Sequence, residues 1–506
     1  MLTDADTQQA REKGVPPEEL RRQLNLFANG VTVPKLIQPC TVGRGIIRLD
    51  AAGRQAAMDA FQQFSEKNQI IKFVPASGAA TRMFKALSAL YHDNDKPSGA
   101  DAAVLEKFYA HLSQFAFYPA LAEAARRAGT PLETLLAEKR HQKILELLLT
   151  NKGLGLEGLP KGLIPFHRYK DQSQTAFAEH LAEAQELLGE RGGSCRVHFT
   201  VAPEHQHRVA EHIQAAAGDH AATVDFSTQH PATDTIAADM DNTPFRDENG
   251  RLVFRPGGHG ALLSNINELA AEIVFIKNID NVAIAPVRQA HTGDLQVLCG
   301  LLIHQRQRMV DFLRNLDPTN PDPDTVAEIQ AFVETDLQME PSASLRQGSL
   351  AEQVNMLRRI LDRPLRVCGV VKHAGEPGGG PFLVQDSHGR RSPQIIEQAQ
   401  VDISDPEQKK IWESSTHFNP VIMAASLYDH TGRPYDLRRF ADPSAGIITE
   451  KSRNGRTLKA LEHPGLWNGS MADWNTIFVE LPAAVFTPVK TVFDLLRDGH
   501  LQDIAR

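Results

Sequence analysis

Short unbroken apolar runs and longer amphipathic stretches succeed one another along the 506 residues. The runs Ile70–Val74 (IIKFV) and Ile273–Lys277 (IVFIK) carry branched and aromatic side chains at adjacent positions, which predicts buried strands, the second covered on both faces. Between them the alternation is regular, with a strand at Cys195–Val201, a helix from Pro203 to about Ala217 and a strand at Ala222–Ser227. Strands separated by helices of this length predict an α/β fold with a mostly parallel, doubly wound sheet. The Ile273 run ends abruptly in Asn278, Asp280 and Asn281. Ligands of open α/β sheets gather outside the carboxyl ends of strands, so this turn can deliver a carboxylate and two amides to a crevice; the same residues also suit a plain Asx-rich turn.

The remaining pattern sets the organisation. Residues 1–68 read as a mainly helical extension, with Pro16 and Pro17 opening a helix through Phe27 and a second helix from about Ala51 to Lys67. Residues 69–300 read as an α/β domain that contains a helical insertion at 87–150. There Leu105, Phe108, Leu112 and Phe115 share one helical face, and Leu132–Leu149 is a further amphipathic run. A helical segment follows at 301–364, and the mixed region 365–506 opens with a strand at Leu365–Val371 and completes the site. A prior of about 150 residues per domain allows two to four packed units for this length.

Composition changes this picture little. The chain is 42% hydrophobic and 23% charged, an ordinary globular balance, and its net charge of −8 argues against a nucleic-acid surface. Cys40, Cys195, Cys299 and Cys368 form no CxxC pair, which favours a reducing compartment and no structural zinc. The polar start and the lack of any run near the roughly 18 apolar residues of a spanning helix point to the cytoplasm.

Several loops carry candidate chemistry. After Ile70–Val74 come Ala76, Ser77, Gly78, Ala79 and Ala80, small residues that let backbone N–H groups approach an anion at the start of a helix, with Arg82 beside them. The alternative is a plain strand-to-helix turn with a surface arginine. Lys161 lies in LPKGLIPFH, which lacks the order of a Walker loop. Gly257, Gly258, His259 and Gly260 precede a helix and imply either close approach to a ligand or a loop needing positive φ. His205 and His207 read as solvated, and Asp239 and Asp241 as turn residues. GEPGGGPF, around Gly378–Gly380, reads as a flexible loop or lid. A carboxylate flanked by amides, as at Asp280, suits Mg²⁺ that also carries phosphate oxygens.

Several of these segments, with others along the chain, fall in an order that resembles the UDP-sugar pyrophosphorylases, or UTP–sugar-1-phosphate uridylyltransferases. Ser77–Met83 (SGAATRM) is similar to their GGxGTRM nucleotide loop, Pro160–Leu163 to their PKGL segment, and Gln229 in STQHP to a base-reading glutamine. Gly257–Gly260 resembles their PGHG loop, Asn278–Asn281 their N-x-D-N metal turn, and Pro488–Thr491 with Asp494–Leu496 their PVKTxxDLL; Asn419 in THFNPV is similar to a sugar-contacting asparagine. Ser77 and Ala80 depart from the family's glycines, and the insertion separates Arg82 from Lys161 more than is usual. The resemblance is to a divergent, bacterial branch, and it implies a glycosyltransferase-A-like (nucleotide-diphospho-sugar transferase) fold with helical insertions. It further implies a Mg²⁺-dependent transfer in which a nucleoside triphosphate, UTP foremost, and a sugar 1-phosphate give a nucleotide-sugar and pyrophosphate. Arg82, Lys161 and Lys490 would then act on phosphates; Ala76, Ser77, Gly78, Ala79, Gln229 and Gly258 would hold the nucleotide; His259, Asn278 and Asn419 would face the sugar; Asp280 would hold Mg²⁺. The rival readings are a glycosyltransferase that consumes a nucleotide-sugar and a non-catalytic nucleotide-sugar-binding protein.

Overall fold

The two apolar runs are strands, Ile70–Pro75 and Ile273–Lys277, in which every residue from Ile70 to Val74 and from Ile273 to Lys277 is buried. In the computed structural model the described residues are all except 1, 67–69, 77, 93–98, 171, 190–194, 218–221, 341–342, 374, 376–377, 387–388 and 502–506. The chain is mixed α/β with a largest sheet that is mostly parallel. It divides into two units built from separate stretches. The smaller takes Lys72–Thr228, Lys277–Leu295 and Pro482–Arg506; the larger takes Met1–Ile71, Gln229–Ile276 and Gln296–Leu481.

In the smaller unit Cys195–Val201 runs parallel to Ala222–Thr228, in register from Cys195 opposite Ala222 to Val201 opposite Thr228. The stretch 87–150 is helical, as its periodicity predicts: Thr81–His92 and Gly99–Ala110 lead to Tyr118–Arg127, Leu132–Ala137 and His141–Leu149. Thr81–His92 buries Met83, Phe84, Leu87 and Leu90 at the i, i+1, i+4, i+7 spacing of one apolar face. Phe84, Phe108, Phe115, Phe117, Phe177 and Phe199 share one core with Val74 and Val489. Truncating a ring as buried as Phe84 to alanine costs about 3–5 kcal/mol. The helix Ala176–Leu188 starts where the Thr175 side chain accepts from Ala178 N, and it buries Glu179, His180 and Glu183 along with its leucines. Carboxylates are rarely buried without partners, and theirs are described below.

In the larger unit Gly45–Ile47, Asn475–Glu480 and Leu365–Lys372 are successive parallel strands, and Leu365–Lys372 pairs antiparallel with Ile422–Ser426. A three-stranded antiparallel sheet (Lys35–Pro39, Gly380–Gln385, Arg391–Ile396) and a four-stranded one (Phe254–Arg255, Thr235–Ala238, Arg456–Glu462, Ile447–Arg453) lie in the same unit. Antiparallel pairing is therefore more extensive than a doubly wound reading predicts. Residues 1–68 hold the expected helices, Pro17–Asn29 and Ala51–Ser65, but also strands at Lys35–Pro39, Thr41–Val42 and Gly45–Ile47. Gly45 adopts φ +89, where a Cβ would come within 2.5 Å of Cys40 Sγ, so the turn between these strands excludes a helix.

Candidate functional site

Three loops far apart in sequence converge in the smaller unit. The first follows Ile70–Pro75. Ala76 is buried and its N–H donates to Thr200 O (2.9 Å), whereas Gly78 and Ala79 are exposed and open space surrounds the position of a Cβ on Gly78. Ser77 lies outside the described residues. The second loop carries Lys161 in a 3₁₀ turn, Lys161–Leu163. The two are tied edge to edge: Ala80 N donates to Leu159 O (2.9 Å), Lys161 N donates to Gly78 O (3.0 Å), and Ala79 pairs with Pro160. Gly162 keeps this turn against Phe177, whose ring would lie 2.4 Å from an added Cβ.

The third element is the turn after Ile273–Lys277, locked by backbone bonds. Asn281 N donates to Asn278 O (3.0 Å), Ile279 N to Pro75 O (3.3 Å), and His180 Nε2 reaches the carbonyls of Asn278 and Ile279 at 3.2 and 3.3 Å. The C-terminal segment pairs alongside: Val489 N donates to Asp280 O (2.9 Å), and Thr487 N donates to Asn281 Oδ1 (3.0 Å). Lys490 is fixed by a capping box in which Asp494 Oδ2 accepts from Lys490 N (2.9 Å) and Thr491 N (2.6 Å).

These bonds bring two ammonium groups onto one carboxylate oxygen. Lys161 Nζ lies 3.0 Å and Lys490 Nζ 3.1 Å from Asp280 Oδ2, and Lys161 Nζ also donates to Val489 O at 2.9 Å. Burial pushes the Asp280 carboxyl up, but the two ammonium groups more than reverse this and hold it below the ordinary carboxylate range. The cluster opens outward at Lys490, whose side chain is 51% exposed against 13% for Lys161 and 12% for Asp280. Arg82 is exposed on the first turn of Thr81–His92. Cations outnumber the one carboxylate, and the buried Asn281 Nδ2 and Thr487 Oγ1 have no partner among the described residues. Such an arrangement can neutralise and orient a polyphosphate. For a metal, the described residues offer no group of three His, Cys, Asp or Glu. Asp280 alone fits an ion held mainly by phosphate oxygens and water rather than by a protein cage.

Beneath this cluster lies a second one, wholly buried. Glu183 accepts from Lys72 Nζ at 2.6 Å and from Lys277 Nζ, and Lys72 also donates to His180 O at 2.9 Å. Burial presses Lys72 down to about 8 despite the opposing Glu183, and it holds His180 well below the ordinary imidazole value. Glu179 lies one turn earlier in the same helix, bonded to His167 Nδ1 (2.7 Å), Tyr169 Oη (2.8 Å) and Arg288; His167 Nε2 meets His500 Nδ1 at 2.8 Å.

Of the other candidates, Gln229, Asp241, Gly258, His259, Gly260 and Asn419 belong to the larger unit and His207 to the smaller. Gln229 is half-buried just after the strand Ala222–Thr228. His259 stacks on Trp467 with centroids 4.4 Å apart and accepts from Leu466 N at 3.1 Å; Gly258 takes φ +76. Close approach at Gly260 is to the chain itself, since an added Cβ would lie 1.9 Å from Pro464 O. Asn419 is buried, its Nδ2 donating to Gly369 O (2.7 Å) and its Oδ1 accepting from Val421 N (3.0 Å), which holds Val421 at φ +56. Asp241 accepts from Thr243 N and Oγ1 as a turn residue, and His207 is exposed near Glu211. Of the GEPGGGPF loop, Glu376 and Pro377 lie outside the described residues.

Sequence reasoning missed Glu183 and Thr487 and gave Asn281 no separate role. The signal for Glu183 was present, because a lysine inside each of two fully apolar strands requires a buried acid.

A model of the family described as "Domain of unknown function (DUF4301)" matches residues 3–501. A comparison with curated proteins finds no match. Among solved structures, a mutant UDP-glucose pyrophosphorylase from Leishmania major in complex with UDP-glucose is similar over 98% of this chain and 79% of its own, at 13% identity and a TM-score of 0.46. The uridine diphosphate N-acetylglucosamine pyrophosphorylase from Trypanosoma brucei, in complex with an inhibitor, is similar over 89% of this chain and 84% of its own, at 14% identity and a TM-score of 0.38. Likeness at this level fixes neither substrates nor residue roles.

Proposed function

The chain belongs to the DUF4301 family, and we propose that it is a nucleotidyltransferase that joins a nucleoside triphosphate, UTP foremost, to a sugar 1-phosphate and releases pyrophosphate. The observation that carries this reading is the pair of lysines, Lys161 and Lys490, held on Asp280 Oδ2 next to the exposed Gly78–Ala79 loop. The glycosyltransferase-A-like assignment rests on the order of the sequence motifs. In the reaction an oxygen of the sugar 1-phosphate forms a bond to the α-phosphorus as the bond to the β-phosphate oxygen breaks, and pyrophosphate leaves with that electron pair. Transfer of this kind needs alignment and charge neutralisation more than covalent help. Lys161 would hold the α-phosphate from its buried position, and Lys490, the more exposed, would follow the incoming sugar phosphate. Arg82 would screen the outer phosphates, and Asn281 Nδ2 and Thr487 Oγ1 offer hydrogen bonds to oxygens beside them. Mg²⁺ would supply further neutralisation between the phosphates, with Asp280 its one protein carboxylate. Within the smaller unit the Ala76–Ala79 loop would contact the nucleotide and Asn278 the sugar side; for Gln229 and Gly258 as nucleotide contacts, and His259 and Asn419 as sugar contacts, the reading rests on motif resemblance alone.

One observation favours binding without turnover: the N–H groups of Ala76 and Ala80 are already spent on Thr200 O and Leu159 O and are not available to a phosphate. A screen of nucleoside triphosphates against sugar 1-phosphates with Mg²⁺, detecting pyrophosphate, separates the two. Pyrophosphate from at least one pair supports the transferase. Nucleotide binding with no pyrophosphate from any pair supports a nucleotide-sugar-binding protein, and free nucleoside diphosphate from a nucleotide-sugar supports a glycosyltransferase.

A further inference from the structure

The larger unit contains a cavity of about 560 Å³, a volume typical of small-molecule sites. It lies at the amino ends of the parallel strands Asn475–Glu480 and Leu365–Lys372, where Asn475 and Thr476 pair with Leu365 and Arg366. Ligands of α/β sheets ordinarily gather at the opposite edge, and Gln229, Gly258, His259 and Asn419 do not line this cavity.

Its lining holds three cations, Lys35, Arg363 and Arg390, and three carboxylates, Asp386, Asp442 and Asp473, so the excess positive charge is that of Arg366 behind it. Arg363 Nη1 and Arg390 Nη2 both reach Asp473 Oδ1, at 3.5 and 3.2 Å, and Arg390 also pairs with Asp386 at 2.6 Å. One oxygen of a half-exposed carboxylate thus serves two guanidinium groups at long range. Burial and the neighbouring Arg390 press Arg363 below its ordinary value. Behind the wall Arg366 is fully buried. Among the described residues its guanidinium bonds only to neutral groups: Thr476 Oγ1 (2.9 Å), Trp467 O (2.6 Å), Met471 Sδ (3.3 Å) and Gln394 Oε1 (2.9 Å). Thr476 and Gln394 line the cavity, so the nearest place for a compensating anion is the cavity itself. Lys35 and Asp442 also line it, and Asp442 Oδ1 accepts from Ser444 N and Oγ. Val33 and Val384 supply an apolar surface. Among the lining residues themselves, Asn468 Oδ1, Trp474 Nε1 and Asn475 Oδ1 are buried without a partner among the described residues, a deficit that a polar occupant can relieve directly or through water.

We propose that this cavity is a binding site for a small organic anion, whose carboxylate or phosphate head displaces Asp473 from Arg363 and Arg390 while its body lies on Val33 and Val384. The site is independent of the lysine cluster of the smaller unit. Calorimetric titration of the full chain with phenyl phosphate, benzoate and inorganic phosphate tests it. At least one organic probe binds with Kd under about 1 mM and raises Tm; preference for phenyl phosphate marks a phosphorylated natural ligand, and preference for benzoate a carboxylated one. Arg390→Met weakens that binding at least about tenfold, the factor for losing one charge-assisted contact. Val33→Trp, at an exposed position that can fill the cavity without disturbing the core, abolishes it with Tm within about 3 °C of wild type. Lys490→Ala leaves it unchanged. Absence of binding by both organic probes, undiminished binding in Arg390→Met and Val33→Trp, or loss of binding in Lys490→Ala overturns the proposal.

Discussion

Glu183 and Asp280 each bridge two lysines within the smaller unit, but their surroundings differ. Glu183 and its partners Lys72 and Lys277 are at most 4% exposed, whereas Asp280 sits between Lys161 at 13% and Lys490 at 51%. The closed cluster has no room for a ligand and joins strands to a helix. The open one ends in a lysine that can swing toward a phosphate. The same charge pattern thus serves stability where water is excluded and is available for chemistry where one arm reaches solvent.

The comparison breaks first at Glu183. Replacing it with glutamine leaves two buried ammonium groups without their carboxylate, which costs about 3–5 kcal/mol. Urea unfolding should show that loss, and a cost under about 1 kcal/mol would mean the closed cluster does not hold the unit together. In the open cluster the order reverses, with large effects on rate and small ones on stability. Lys161→Ala or Lys490→Ala should lower kcat about 10²–10³-fold, the scale for one preorganised charge or donor, with Tm changed by only a few degrees. Activity within a few-fold of wild type would make these lysines structural like the buried pair.

Asp280→Asn sharpens the contrast. It removes the anion that holds two ammonium groups together, yet Lys490 can move into water, so the expected loss is about 1–3 kcal/mol, less than at Glu183. Turnover and its dependence on Mg²⁺ should both vanish; full Mg²⁺-dependent activity in this variant would remove Asp280 from the metal.

The last contrast is in pH dependence. Burial, the neighbouring His167 imidazole and Arg497 hold His500 down to about 3. A histidine whose folded pKa is depressed binds its proton in the unfolded chain first, so stability falls as pH drops from about 6.5 toward 3, by about 1 kcal/mol per pH unit. His180, also pressed down, acts in the same sense. His500→Gln should flatten the slope of unfolding free energy between pH 6 and about 4, and an unchanged slope would mean His500 is already charged in the folded chain.

How much of this was legible depended on range. The runs IIKFV and IVFIK announced their burial because adjacent branched residues leave a strand no polar face, and the amphipathic repeat of 87–150 announced its helices. The strands Lys35–Pro39 and Gly45–Ile47 did not show, because stretches of five and three residues carry too little periodicity. Lys161, Asp280 and Lys490 were suggested by motif resemblance, but their meeting joins residues 119 and 210 positions apart and no local spacing encodes it. Gly260 shows the opposite failure: a glycine requirement read as room for a ligand is met by Pro464 of the same chain.

The most direct test of the open cluster is pyrophosphorolysis of UDP-sugars by the wild-type chain and by Lys490→Ala, with both proteins shown to melt at the same temperature. UTP formed from at least one UDP-sugar and pyrophosphate by the wild type, and reduced about 10²-fold or more in the variant, is the result predicted here. No UTP from any UDP-sugar despite measurable nucleotide binding, or equal rates in the two proteins, would contradict it.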